Sequence, residues 1–324
     1  MPQPKVLITR NLPTELASLE QIATVEVWTQ RQPPPYEVLL EKVKKIDGLL
    51  CLLTDRIDSQ LIEAGTSLKV ISQMAVGYDN IDISAATARH IPVGNTPGVL
   101  TDATADFTWA LLMAAARRVV EADRFTRAGK WQTWEPDLLL GPNITGATLG
   151  IIGFGRIGQA IARRAKGFEM RILYSSRHQC SPELDQSLGV EFVPFDLLLQ
   201  ESDFVTIHTP LSEETYHLFS DREFELMKSS AILINTARGA VVNPDALYQA
   251  LSSGQIAGAA LDVTQPEPIA MDSPLLTLDN LIIAPHIGSA SRQTRDKMAQ
   301  MAIANLVAGL KGDPLPYCVN PELY

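Results

Sequence analysis

Cysteine is scarce in this sequence: Cys51, Cys180 and Cys318 are odd in number, far apart and without Cys-x-x-Cys spacing. A disulfide framework or a zinc site is poorly supported, and the usage fits a reducing compartment. No stretch approaches the roughly 18 consecutive apolar residues of a membrane-spanning helix. The first residues, Met1 to Lys5, run straight into a strand-like segment without the apolar core of a secretory signal, so a cytoplasmic protein is expected. Basic residues are outnumbered, 27 Lys and Arg against 37 Asp and Glu, giving a formal charge of −10 with no Lys/Arg run to offset it. That balance opposes binding to a phosphate backbone, and nucleic acid is not expected as a partner. Low-complexity sequence is confined to residues 32–35, a proline tract that reads as a stiff surface connector. No tandem repeat is visible.

What is present is enough apolar material for two domains: 324 residues, 46% of them hydrophobic. Strand-like runs occur at 6–9, 25–28, 48–53, 70–72 and, more briefly, 91–93, separated by helix-compatible stretches. This alternation is the mark of βαβ units and a parallel sheet. From Thr101 or Asp102, either of which can cap a helix, the pattern changes. Residues 107–120 are apolar almost all round, which predicts a buried helix. Beyond it, Trp131 and Trp134 read equally as core residues or as exposed contacts for a second subunit. A second α/β series starts at Ala147, with strands expected at 149–152, 171–174, 204–208, 232–235, 258–261 and 281–284. Helices are expected at 157–166 and 245–251, and a long one at 291–310 closes the chain. The simplest architecture is two doubly wound α/β domains with the last helix returning to the first.

The sharpest local signal is the run Gly153, Phe154, Gly155, Arg156, Ile157, Gly158, lying between a strand pattern and an amphipathic helix. In that context the glycine pattern is a dinucleotide fingerprint. Gly153 allows the tight turn, Gly155 the approach of backbone to a pyrophosphate, and Gly158 the packing of helix on strand. About 20 residues on, NAD enzymes place a carboxylate for the ribose hydroxyls. Here the strand ends in Ser175, Ser176 and Arg177. Two hydroxyls and a guanidinium suit a 2′-phosphate, which a carboxylate would repel. NADP(H) is the expected cofactor, with NAD(H) possible and a plain solvated arginine as the bland alternative.

A nicotinamide enzyme acting on a hydroxy or keto acid needs a cation for the substrate carboxylate, a proton donor for the reacting oxygen, and a group that tunes the donor. Arginine's planar fork suits the first and histidine the second, while a neighbouring carboxylate favours the protonated imidazole. Such groups belong just past strand C-termini, where ligands bind in open α/β sheets. Arg238 follows the 232–235 run, Glu267 sits in a proline-stiffened loop after 258–261, and His286 follows 281–284. From spacing alone His208 competes with His286 on nearly equal terms; His90, His178 and His217 read as surface or turn residues.

These motifs together, with Met74 to Asp82, Asn235 to Gly239, Asp262 to Pro268 and Pro285 to Ala290, closely resemble the D-isomer-specific 2-hydroxyacid dehydrogenase family, in order and over essentially the whole chain. The resemblance implies a Rossmann cofactor domain, residues 100–285, inserted into a flavodoxin-like discontinuous catalytic domain made of 1–99 and 286–324. It implies hinges near Leu100 and Pro285 and a homodimer. Arg238 is then the carboxylate-binding residue, His286 the acid/base and Glu267 its partner, with the backbone at Val76 and Gly77 helping to cradle the carboxylate. Leu53 and Ser289 are further expected substrate contacts. Thr104, Thr209, Pro210, Thr215, Thr236, Ala237, Asp262, His286 and Gly288 are expected to join the glycine run and Ser175 to Arg177 at the cofactor.

Within the family, the loop 52–55, the Trp131/Trp134 segment and the Ser175–Arg177 strand end look most like NADPH-dependent glyoxylate/hydroxypyruvate reductases. In that subgroup a tryptophan of this segment reaches the neighbouring subunit's pocket, which makes Trp134 a substrate-site candidate. One departure is Thr264 and Gln265, where the family commonly has an aromatic and then an acidic residue. The alternatives are another D-2-hydroxyacid dehydrogenase, of D-lactate or phosphoglycerate type, or a dinucleotide-sensing corepressor on the same fold. No metal is expected.

Overall fold

The computed structural model describes residues 3–324; Met1 and Pro2, where the N-terminal reading begins, lie outside them. The chain divides into two units: one running up to Leu100 and resuming over Ala290–Tyr324, the other Thr101–Ser289.

In the first unit the strands are β1 (Lys5–Ile8), β2 (Thr24–Val27), β3 (Gly48–Cys51), β4 (Val70–Gln73) and β5 (Val93–Gly94). All pair in parallel, in the order β2-β1-β3-β4-β5, the flavodoxin-like arrangement. β3 and β4 are buried at every residue, which is why they read as unbroken apolar runs rather than as alternating ones. One face packs on Leu39, Val43, Leu61 and Ile62. The other packs on Met298, Ala302, Ile303 and Leu306 of the helix Arg292–Lys311, so both ends of the chain build this unit. The helix lies close: a Cβ on Gly309 would stand 2.5 Å from Val70 side-chain atoms, and Ser72 Oγ donates to the Ala302 carbonyl at 2.8 Å.

The second unit holds β6 (Thr148–Ile152), β7 (Arg171–Ser175), β8 (Val190–Phe192), β9 (Phe204–Ile207), β10 (Ile232–Asn235), β11 (Gly258–Leu261) and β12 (Leu281–Ile283). The parallel order β12-β11-β10-β9-β6-β7-β8 starts in the middle at β6 and reverses there, as in Rossmann sheets. Each face has its own core, one around Phe204, Ile234 and Trp109, the other around Phe219, Phe224 and Leu233. β8 was not anticipated: it is a three-residue edge strand with Glu191 at its centre, too short to carry a period.

One expectation needs correction. The apolar stretch 107–120 is not one helix buried all round. The helix Thr101–Ala116 ends where Arg118 turns left-handed (φ +50), and a second helix, Val119–Arg127, buries no residue. Arg118 holds the corner through two bonds of 2.8 Å to the Glu121 carboxylate, and Met113 and Val119 are exposed. The second unit runs on to Ser289. Asp262 accepts the backbone N–H groups of Ile287 and Gly288, both at 2.7 Å, and so retains residues 286–289 there.

Candidate active site

The turn after β6 is built by its glycines. Gly153 has φ +87, and a Cβ on it would lie 2.7 Å from the His208 carbonyl carbon and 2.9 Å from the Thr209 nitrogen, so only glycine fits. Gly158, in the helix Arg156–Ala165, approaches the same turn: its Cβ would meet the Gly153 oxygen at 2.5 Å. At Gly155 a Cβ would meet nothing within 4 Å, so backbone stands open at the head of a helix whose first turn has Arg156 and no acidic residue. Nearby, Thr209 Oγ1 is buried and has no hydrogen-bond partner among the described residues. An open glycine, an orphaned hydroxyl and a positive helix end fit a dinucleotide pyrophosphate.

The other cofactor candidates fall into two groups. Phe154 is buried and stacked on Tyr174 at 4.0 Å, and its carbonyl accepts from Gln159 Nε2 at 3.1 Å. Thr104 and Thr236 are tied through Thr108 Oγ1, at 2.8 Å each, and Thr215 Oγ1 donates to the Pro210 carbonyl at 2.7 Å. Ala237 N donates to Asn235 Oδ1 at 3.0 Å. Past β7, Ser176 Oγ donates to the His178 carbonyl at 2.6 Å, and Arg177 is exposed, without an ion pair among the described residues. Further along, the Asp185 carboxylate is engaged by Tyr174 Oη at 2.8 Å and Gln179 Nε2 at 3.1 Å.

β10, β11 and β12 lie side by side, so Arg238, Glu267 and His286 all emerge at the C-terminal edge of adjacent strands. Buried Asn235 staples the arginine turn, donating to the Arg238 carbonyl at 2.9 Å. The Gly239 backbone presses on Thr264, whose oxygen would lie 2.0 Å from an added Cβ. Arg238's neighbour therefore touches the loop that carries Glu267. His286 is left-handed (φ +56), with its amide bound to the Asp262 carbonyl at 2.8 Å. Its Nδ1 meets Glu267 Oε1 at 2.5 Å, with a quarter of the imidazole and a third of the carboxylate exposed.

His208 is different. Its Nε2 bonds Thr206 Oγ1 at 2.7 Å, and burial pushes the ring's pKa down to about 3. It is neutral near pH 7 and is not a proton donor there, which separates two histidines that spacing left level. His217, read as a surface or turn residue, does sit in a turn (φ +50), but its Nε2 is bonded to Gln265 Oε1 at 2.8 Å. Asp262 holds the histidine loop through its two oxygens; burial raises its pKa, partly offset by those amide bonds. Only its place at a strand end could have signalled that role.

Among the substrate candidates, Ser289 is half-buried and Trp134 is 78% exposed, with Trp131 at 61%. In the first unit, Leu53 lines a 470 Å³ hollow with Asp55, Arg56 and Asn80. The carbonyls of Val76 and Gly77 accept from Asn95 Nδ2 (2.8 Å) and Gln73 Nε2 (3.2 Å).

A sequence profile of the D-isomer specific 2-hydroxyacid dehydrogenase NAD-binding domain matches residues 109–288. The chain belongs to this family. It is 53% identical to a glyoxylate reductase of Korarchaeum cryptofilum over 99% of this chain and 97% of that one. A solved structure from Thermus thermophilus is 47% identical, with a TM-score of 0.91 over 97% of this chain and 99% of the other. An NADPH-dependent glyoxylate/hydroxypyruvate reductase from Sinorhizobium meliloti, solved with NADP and malonate, is 30% identical, with a TM-score of 0.87 over 99% and 98%. Membership makes the chain an oxidoreductase of the 2-hydroxyacid dehydrogenase class with an NAD-binding domain. No described helix is long and apolar enough to cross a membrane.

Proposed function

We propose that this 2-hydroxyacid dehydrogenase reduces glyoxylate or hydroxypyruvate with NADPH. The observation that carries the chemistry is the 2.5 Å Nδ1–Oε1 contact between His286 and Glu267, one strand over from Arg238. Arg238 offers a planar fork to the substrate carboxylate. The bond to Glu267 fixes the tautomer: Nδ1 keeps its proton toward the carboxylate, and Nε2 exchanges one with the substrate oxygen. Bound NADPH supplies the hydride. As negative charge grows on that oxygen, His286 gives up the Nε2 proton, and Glu267 steadies the imidazolium beforehand.

Preference for NADPH is supported by exposed Arg177 and by Ser175, Ser176 and Arg177, not a carboxylate, standing at the end of β7. Val76, Gly77, Leu53 and Ser289 are proposed substrate contacts. A cytoplasmic homodimer is the proposed form. Its support is the helix Val119–Arg127, which buries nothing, followed by Trp131, Trp134 and Leu140, each more than half exposed; Trp134 is the residue proposed to act across that dimer. The test is to follow NADPH and NADH oxidation at 340 nm (roughly) against glyoxylate, hydroxypyruvate, pyruvate and phosphohydroxypyruvate. The first two with NADPH should give the highest kcat/KM; a clear preference for either of the others, or for NADH, overturns the corresponding part of the reading.

A further inference from the structure

Glu267 is held by a loop, not by a strand, yet its oxygen meets His286 at 2.5 Å. What fixes the loop is a ring of contacts among the segments that follow β9, β10 and β11. His217 N donates to the Ala240 carbonyl at 2.8 Å, which joins the first segment to the second. Gly239 presses on Thr264, which joins the second to the third. Gln265 closes the ring: its Oε1 takes His217 Nε2 at 2.8 Å, and its Nε2 donates to Tyr216 Oη at 3.3 Å. Tyr216 and His217 stack at 4.0 Å, so the two partners are fixed to each other. Left-handed backbone at His217 (φ +50) persists only where its surroundings dictate it.

We propose that Gln265 is a positioning residue for the acid/base pair, setting the reach of Glu267 to His286 by clamping the 264–267 loop to Tyr216 and His217. This rests on the reading of His286 as the proton donor. Within the loop, Thr264 Oγ1 donates to the Pro266 carbonyl at 2.8 Å, so a displacement of Gln265 is passed on to the residue beside Glu267. Displacing a reacting group by about 1 Å can cost up to about 100-fold in rate, and a tautomer held by one hydrogen bond is lost with it.

The test uses the full chain with Gln265→Met, which keeps length and volume but loses both bonds, alongside Gln265→Glu, which keeps an oxygen for His217, and Tyr216→Phe. For Gln265→Met, kcat for glyoxylate should fall about tenfold while KM for NADPH stays within about twofold. Gln265→Glu and Tyr216→Phe should stay within about threefold of wild type. Long-range ¹H–¹⁵N spectra should show the neutral His286 ring protonated on Nδ1 in wild type and as a mixture of tautomers in Gln265→Met. An unchanged kcat and tautomer in Gln265→Met overturn the proposal whatever happens to Tm, and so does a loss that raises KM for NADPH in parallel, because that marks general loosening. If the wild type reduces no keto acid, the functional reading fails, and the tautomer comparison still decides the role of Gln265.

Discussion

Protonating His208 is unfavourable in the folded chain, and this makes acid sensitivity a measure of its surroundings. His208 is half-buried with its ring bonded to Thr206, and loss of hydration brings its pKa from 6.5 down to about 3. A histidine whose native value is depressed binds its proton more readily when unfolded, so its contribution to stability is complete above about pH 6.5 and is lost as pH drops toward 3. Each unit of pH inside that window costs about 1.4 kcal/mol. From pH 7 to pH 5 the native ring stays neutral while the unfolded one gains its proton, and the loss comes to about 2 kcal/mol.

His208→Gln removes the titration and keeps a polar end for Thr206. Urea unfolding of both proteins at pH 7 and pH 5, followed by tryptophan fluorescence, compares each protein with itself, so any baseline change in stability cancels. Trp109, Trp131 and Trp134 all lie in the seven-stranded unit, which therefore dominates the signal. Wild type should lose about 2 kcal/mol more than His208→Gln over the interval. Equal losses, within about 0.5 kcal/mol, would refute the neutral ring and with it the ground for preferring His286 as the donor.

His286→Ala should lower turnover by about 10²- to 10⁴-fold and leave NADPH affinity, measured by fluorescence titration, nearly unchanged. Arg238→Lys retains charge but loses the fork; steady-state kinetics should show a raised KM for keto acid together with a lower kcat. Arg177→Asp should move the NADPH/NADH ratio of kcat/KM toward NADH by about 10- to 150-fold, the equivalent of one charge-assisted hydrogen bond of roughly 1.5–3 kcal/mol. An unchanged ratio would remove Arg177 from the cofactor site.

Both sheets were legible because βαβ repeats leave a strong period in sequence, and because strands such as β3, β4 and β10 are buried along their whole length. The glycine turn was legible for a steric reason: Gly153 and Gly158 sit where a Cβ would strike backbone. Arg238, Glu267 and His286 could be nominated from their places after strands. Choosing His286 over His208 could not be done that way, since the two differ by burial and partner, neither of which is a local property of sequence. The break at Arg118 was hidden because the residues around it are good helix formers, and the left-handed turn is held by an ion pair with Glu121. His217 was hidden by its partner, 48 residues away.

Asp262 shows why the C-terminal edge of β10 to β12 has the composition it does. It is 2% exposed, and burial raises its pKa, so at neutral pH its charged form is disfavoured in the fold relative to the unfolded chain. Stability from such a group is present at low pH and lost as pH rises through the raised value. A carboxylate is nonetheless the side chain of this size that offers two acceptors. Asparagine has one, and its amide nitrogen would face either the Ile287 or the Gly288 N–H. Those two amides directly follow the left-handed His286, whose own N–H is bound by the Asp262 main chain. One residue thus restrains three successive amides beginning at the left-handed His286, the residue whose imidazole meets Glu267.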